Sequence, residues 1–429
     1  MVKEAHDAAC LGHLLAGTGL ILITSTTGPQ PADFADVRAT NLAVVLRFVR
    51  ENAPCSRADI AATTGLNKAT VSSLVADLID RRLVRETGLT ENRVGRPATM
   101  LVLDGSPYAA IGVEINVDHV SAVATDLAGE RLLTWRRSFS AGDSVSQGVA
   151  SVGAIVRRVV NRMAREERQV LGLAVAVPGL VDVQGTVRLA PNLGWRDADL
   201  GGDLAKALRD PGFPIQVDND ANLAALAEQR FGAHAGAADL VYLTGEIGVG
   251  AGIILDGRLR KGGLGYSGEI GHVQLDPDGP PCHCGRRGCL EAMAGIGSVL
   301  RGVPAPAELH PAEIQIEIEE VVRLARAGDA GTLATLSAAG RSLGRGVSIL
   351  ANLLDPEVVV LGGYYVPLAP WLLPAVHAEL GHRVLAPDAG GCRVVASTLG
   401  QDAAALGGAA RVLDSVDSGR LPGGLSRIP

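Results

Sequence analysis

A chain of 429 residues with 47% hydrophobic and 20% charged side chains has room for two or three domains, each with its own core, and its balance excludes a fibrous or disordered polymer. Aromatic residues make up only 3%, so cores must rest on Ala, Val, Leu and Ile, and a stacking platform for single-stranded bases is not expected. The formal charge of −7 is unevenly spread: Val37 to Met100 holds ten Lys/Arg against six Asp/Glu, a net of +4 that leaves −11 for the remainder, which fits a phosphate-attracting module on an acidic body.

The apolar stretch Leu11 to Ser25 is interrupted by Gly and Thr and is too short to span a bilayer. It lacks the basic flank and small-residue cleavage site of an export signal, so a cytoplasmic protein without a membrane partner is expected. Residues 1–36 read as a poorly ordered tail or an overlong start. From Asn41, helical spacing takes over in Leu42, Val45, Leu46 and Val49, and Pro54 closes it. Ser56-Arg57-Ala58-Asp59 has the make-up of a capped helix start, with Ser56 as N-cap and Asp59 favourable in the first turn. Thr64-Gly65-Leu66 turns the chain, Asn67 caps the next helix, and Val71, Leu74, Val75 and Leu78 form its apolar face.

Two short helices around a glycine turn are a helix-turn-helix pattern. The small polar and basic residues Lys68, Thr70, Ser72 and Ser73 let the second helix approach base edges, while Arg57 and Lys68 can reach phosphates. After Arg81-Arg82, Leu83-Val84-Arg85 looks like a strand. It leads to Arg93-Val94-Gly95-Arg96-Pro97, an extended segment suited to a wing that lays Arg93 and Arg96 along a minor groove. Residues 37–100 are therefore expected to form a winged helix-turn-helix that binds double-stranded operator DNA, a dimerising helical hairpin being the alternative. The stretch from Ser56 to Val84, followed by Gly95-Arg96-Pro97, resembles the N-terminal module of repressors of the ROK (Repressor, ORF, Kinase) family.

From Tyr108, strands and helices alternate, as in an α/β fold. Ile111 to Ile115 and Ser121 to Ala124 read as paired strands, Leu171 to Gly179 as a strand buried on both faces, and Val358 to Leu361 as another that ends in Gly362-Gly363. Three of the six cysteines, Cys282, Cys284 and Cys289, lie close together. Clustered thiols without a secretory signal are metal ligands before they are disulfides. With His272 as a fourth ligand they make a closed Cys₃His set suited to structural zinc, with no position open to water. His283 competes for that place but sits awkwardly between two ligands.

Pro178-Gly179, Asn219-Asp220-Ala221-Asn222, Glu269-Ile270-Gly271-His272 and the segment Cys282 to Glu291 together resemble the body of the ROK family over residues 108–415, leaving 416–429 as a C-terminal tail. The resemblance implies an actin-like (ribonuclease H-like) two-lobed α/β body with a sugar cleft between the lobes, and the same four zinc ligands. It further implies that Glu269, His272 and Glu291 face the sugar, that Asn219 and Asp220 bind it from the other side, and that Gly179 forms the floor. Carboxylates suit this role because they accept charge-assisted hydrogen bonds from hydroxyls. Within the family the chain is most similar to xylose- and N-acetylglucosamine-type regulators.

The same cleft would serve an ATP-dependent sugar kinase with Asp220 as general base. Kinases of the family carry an Asp-x-Gly-Gly-Thr loop, where this chain has Glu114-Ile115-Asn116-Val117-Asp118. They carry a Gly-Thr-Gly core where it has Glu246-Ile247-Gly248. Glycines that open the backbone to phosphates are lost and carboxylates that repel them are gained. The expectation is a non-catalytic regulator, a repressor, that binds a sugar effector and works as a homo-oligomer, dimer or tetramer.

Overall fold

The structure, a computed structural model, describes residues 34–89, 99–139, 144–303, 314–385 and 392–419. Helix α1 (Phe34–Asn52) begins inside the segment expected to be a tail, whose remainder lies outside the described residues. It leads through β1 (Cys55–Ser56) into α2 (Arg57–Thr64). Ser56 Oγ accepts the Asp59 amide (3.2 Å) and Asp59 Oδ2 accepts the Ser56 amide (2.9 Å), so one reciprocal pair satisfies two donors that a helix start leaves open. Gly65 takes φ +73°, the left-handed conformation that glycine adopts without a Cβ clash, and this turns the chain toward α3 (Lys68–Asp80). Asn67 Oδ1 caps α3 at the Thr70 amide (2.8 Å).

Val71, Leu74, Val75 and Leu78 of α3 pack with Ile60 of α2 and Leu42, Val45, Leu46 and Val49 of α1 in one core. Strands β2 (Val84–Leu89) and β3 (Thr99–Leu103) complete a three-stranded sheet of order β1-β3-β2, which carries the module past residue 100 to Leu103. The β2–β3 turn, with Arg93 and Arg96, lies outside the described residues.

The first lobe of the body follows as β4 (Tyr108–Ile115), β5 (His119–Thr125), β6 (Arg131–Ser138), α4 (Val145–Arg165), β7 (Gln169–Val177), the small sheet β8 (Leu180–Val181), β9 (Val187–Ala190) and β10 (Trp195–Ala198), α5 (Leu200–Leu208) and β11 (Ile215–Asn219). Helix α6 (Asp220–Phe231) leads to the second lobe: β12 (Leu240–Gly245), β13 (Val249–Leu255), β14 (Arg258–Leu259), α7 (Leu290–Ala294), α8 (Ile296–Arg301), α9 (Ile314–Arg326), α10 (Ala330–Leu354), β15 (Val358–Gly363), α11 (Tyr365–Arg383) and β16 (Arg393–Ala396). The two main sheets have the orders β6-β5-β4-β7-β11 and β14-β13-β12-β15-β16. In each, three antiparallel strands come first and two parallel strands extend the other edge. This duplicated ribonuclease H-like plan is the actin-like arrangement.

Helix α12 (Ala403–Asp417) returns from the second lobe to pack on β4, β7 and α6 of the first. Only glycine permits the approach: a Cβ on Gly407 would lie 1.7 Å from the Leu223 carbonyl oxygen, and one on Gly112 would lie 1.8 Å from that of Ala405. Because α12 runs to Asp417, residues 416 and 417 are not tail. Val412, Leu413 and Val416 join the core of the N-terminal module, so burial continues the helix beyond the expected boundary, and residues 420–429 lie outside the described part.

Candidate functional site

The junction of β11 and α6 forms one wall of the cleft. Asn219 is the N-cap of α6: its Oδ1 accepts the Asn222 amide (3.1 Å), and its Nδ2 donates to the Gly179 carbonyl (3.0 Å). Gly179 has φ +123°, and a Cβ there would meet the Leu189 carbonyl oxygen at 2.3 Å, so this position must be glycine. Asn219 thus ties Gly179 to the start of α6. The preceding Asp218 is held by Lys261 (3.1 Å), which arrives from the loop after β14 in the other lobe. Nothing in the local sequence pattern around Lys261 indicates this cross-lobe partner.

Asp220 heads α6. Burial pushes its carboxyl up to about 7; the Ala221 amide, which donates to Oδ1 at 2.8 Å, opposes the shift, and the charges of Glu114 and Glu269 add to it. Folded chain therefore holds this proton up to about pH 7, whereas the unfolded group releases it near 3.8. Across that window the unfolded state binds fewer protons, so the contribution of Asp220 to stability falls as pH rises. Asp220→Asn is accordingly expected to be more stable than the parent at pH 8, by about 1 kcal/mol or more, with the difference vanishing below pH 4. Urea denaturation at several pH values measures this, and an equal difference at all pH values would refute it.

Glu291 lies in the first turn of α7, where Oε2 accepts the Val249 amide (3.1 Å). A Cβ on Gly248 would lie 2.9 Å from the same oxygen, so the β12–β13 turn is seated on this carboxylate. Glu269 stands exposed at the rim, immediately before the single helical turn Ile270–His272. On the far side of Asp220, the β4–β5 and β12–β13 turns of the two lobes meet. Asn116 Nδ2 donates to Glu114 Oε1 (3.2 Å), and Asn116 is also hydrogen-bonded to Glu246. Burial holds the Glu246 carboxyl well above the usual range, with further push from Glu114, Asp220 and Asp118. The cavity lined by Glu114, Asp220, Tyr242, Thr244, Glu246 and Gly363 measures about 20 Å³, room for roughly one water.

His272, Cys282, Cys284 and Cys289 converge, with their ligand atoms all within 4.8 Å of one another; His283 is not in the cluster. His272 Nδ1 lies 3.8 Å from Cys282 Sγ, and Cys284 and Cys289 Sγ are 3.7 Å apart. Such edges fit a tetrahedron whose metal–sulfur bonds are about 2.3 Å. The Arg286 backbone amide, and then its guanidinium, lower the Cys284 thiol to about 6, whereas burial pushes Cys289 up to about 12. Burial favours the thiol at Cys289 and Cys282, so a cation would supply the charge that thiolates need there, and the donor set can hold one. Cys289 is the N-cap of α7, so the loop fixes the helix start that carries Glu291.

In the N-terminal module, Lys68, Ala69, Ser72, Ser73 and Ala76 form the exposed face of α3. Thr70 is half-buried and its amide is spent on the cap. Ser73 Oγ is 3.5 Å from an Arg38 nitrogen, at the edge of that face, while Lys68 and Ser72 are turned outward. Arg57 is paired with Glu86 of β2 (2.8 Å), a contact it must exchange to reach a phosphate. No helix of the described residues is long and apolar enough to cross a membrane.

A winged helix-turn-helix joined to a duplicated body with an acid-lined cleft and a Cys₃His loop defines a two-lobed protein of the actin-like sugar-kinase fold with an added N-terminal module. The chain belongs to the ROK family, whose profile matches residues 110–415, and the MarR family profile matches residues 43–92. It is 31% identical to the xylose repressor of Bacillus subtilis (strain 168) over 384 residues, 89% of this chain and 97% of that protein. Among solved structures, a ROK family transcriptional regulator described as a homolog of E. coli MLC protein aligns with TM-score 0.76 and 28% identity, over 89% of this chain and 97% of the other. A ROK family glucokinase from Streptomyces griseus, in complex with glucose and AMPPNP, aligns with TM-score 0.59 and 29% identity, over 70% of this chain and 98% of the other.

Proposed function

We propose that the chain is a DNA-binding transcriptional regulator, a repressor, whose operator affinity is controlled by a sugar or sugar derivative in the cleft. One observation carries this over the kinase reading: the meeting turns of the two lobes fill the space beyond Asp220 with Glu114, Asn116 and Glu246, leaving about 20 Å³. A nucleotide triphosphate there would meet carboxylates in a space sized for water. Similarity along nearly the whole chain to a xylose repressor supports the same reading.

In this reading Glu269 and Glu291 accept hydrogen bonds from sugar hydroxyls, with His272 beside them, while Asn219 holds the Gly179 floor against the start of α6. Asp220, which titrates near neutrality, can accept from or donate to a hydroxyl. His272, Cys282, Cys284 and Cys289 would hold a structural zinc, which supplies a cross-link within the loop and no catalysis. Lys68 and Ser72 face the major groove, and Thr70, Ser73 and Arg57 border it. A homo-oligomer would place two such helices on two half-sites.

Thermal melting with xylose, glucose or N-acetylglucosamine, each with and without ATP and magnesium, tests the assignment. At least one free sugar is expected to raise Tm, with no added shift from ATP and no sugar phosphate formed. Turnover on the scale of ordinary enzymes, about 1 per second or faster, lost in Asp220→Asn, would replace the regulator with a kinase.

A further inference from the structure

Helix α6 has the cleft at one end and the N-terminal module at the other. Its start is Asn219 and Asp220; its last turn carries Arg230. Twelve residues of α-helix span about 18 Å. Ala221 to Glu228 are buried without a break, and Gly407 of α12 lets the two helices touch backbone to backbone at Leu223. A helix so enclosed moves as a rod, because close-packed interiors transmit displacement rather than absorb it.

At its far end, Arg230 Nη1 reaches Asp414 Oδ1 (3.0 Å) and Asp417 Oδ2 (2.8 Å) on α12, with only 11% of its side chain exposed. The same Oδ2 of Asp417 also accepts Arg50 Nη1 of α1. One buried carboxylate oxygen is thus shared by a guanidinium of the body and a guanidinium of the DNA-facing module. Arg50 stands one residue beyond Val49, which packs with α2 and α3. Arg38 at the other end of α1 holds Asp77 of α3 (3.0 Å), so α1 is tied to the recognition helix by both packing and charge. Asp417 and Arg230 are the buried members of this cluster, and removing the carboxylate would leave Arg230 with Asp414 alone. Arg50, by contrast, is partly exposed and also pairs with Glu51 (2.8 Å), so it can exchange partners.

We propose that Asp417 is the coupling residue between the cleft and the DNA-binding helices, passing a shift of α6 through Arg230 to Arg50 and α1. The proposal rests on the regulator reading above. A ligand at Asn219–Asp220 moves the N-terminus of α6, its C-terminus moves Arg230, and the shared carboxylate redistributes between the two arginines. Two arrangements of one ion-pair cluster then correspond to two settings of α1 against the body, the discrete element that coupling between distant sites requires.

The test is a linkage measurement on the full chain. A duplex selected by the protein from a random-sequence pool is titrated by fluorescence anisotropy, with and without a saturating concentration of whichever of xylose, glucose or N-acetylglucosamine stabilises the protein. The ratio of the two dissociation constants is the coupling factor, and DNA must change sugar affinity by the same factor, typically about 5–150-fold. In Asp417→Asn and in Arg50→Gln, which leaves the Arg230–Asp417 pair in place, that factor is expected to fall to within about twofold of unity in both directions. Sugar affinity without DNA, and DNA affinity without sugar, should each stay within about threefold of the parent. A residue that only braced the fold would lower Tm and leave the coupling factor alone, so a folded variant of either kind with parental coupling overturns the proposal. Should Asp417→Asn fail to fold, Arg50→Gln decides. Absence of any sugar effect in the parent chain is a different failure: it removes the regulator reading, and this proposal with it.

Discussion

Replacing Cys289 by alanine is expected to empty the metal loop, from about one zinc per chain to almost none, and to abolish the sugar response. Cys289 is fully buried, ends the loop and caps α7, so its loss removes a ligand and the fixed start of the helix that holds Glu291. Glu291 in turn seats the Val249 amide, so disorder at the loop would spread to the β12–β13 turn. The body should lose about 3 kcal/mol or more, in keeping with the loss of a structural metal. Cys284→Ser is a useful companion because Cys284 is exposed, and its effect would come from lost ligation rather than a core cavity. Elemental analysis with a sugar titration decides: metal-free protein with the parental sugar response would sink the structural role.

Ser72→Glu should cost at least about 100-fold in operator affinity while leaving sugar-induced stabilisation unchanged. Ser72 lies on the outward face of α3, and its hydroxyl donates to the Lys68 carbonyl of its own helix (2.9 Å), so among the described residues a longer side chain breaks no core contact. A carboxylate there would face the DNA across a short distance. Ser73→Glu should cost less, because Arg38 lies 3.5 Å from that position and can neutralise a new charge. Anisotropy titrations of both variants rank them. Equal affinities for parent and Ser72→Glu would show that this face of α3 does not meet DNA.

The features that stood out along the chain depend on near neighbours. Ser56 and Asp59 are three residues apart, so their reciprocal cap is visible as a pattern, and so is the Asn67 cap of α3. Cys282, Cys284 and Cys289 announce a loop ligand set through spacing alone. Glu114 and Glu246 stood out as departures from phosphate loops, the first near the end of β4 and the second in the β12–β13 turn. Resemblance to a family then supplied what spacing does not, the sugar-facing roles.

What only folding decided are the meetings between distant segments. The duplicated strand order of the two lobes left no readable repeat, because a sheet needs apolar residues at alternating or continuous positions and many unrelated sequences meet that need. Whether Glu114 and Glu246 share one cavity depends on how the two lobes close, and Lys261 finds Asp218 only across the cleft. The C-terminal boundary shifted for a similar reason: α12 runs past residue 415 because Val412, Leu413 and Val416 are buried in the core of the N-terminal module, a partner that its own sequence does not reveal. Arg50 and Asp417 are 367 residues apart, and each alone reads as a surface charge. Caps, turns and ligand loops were set by the chain itself because hydrogen bonds over three or four residues are fixed by local composition; the shared carboxylate was set by tertiary packing, because a long-range ion pair exists only where two buried helices bring its members together.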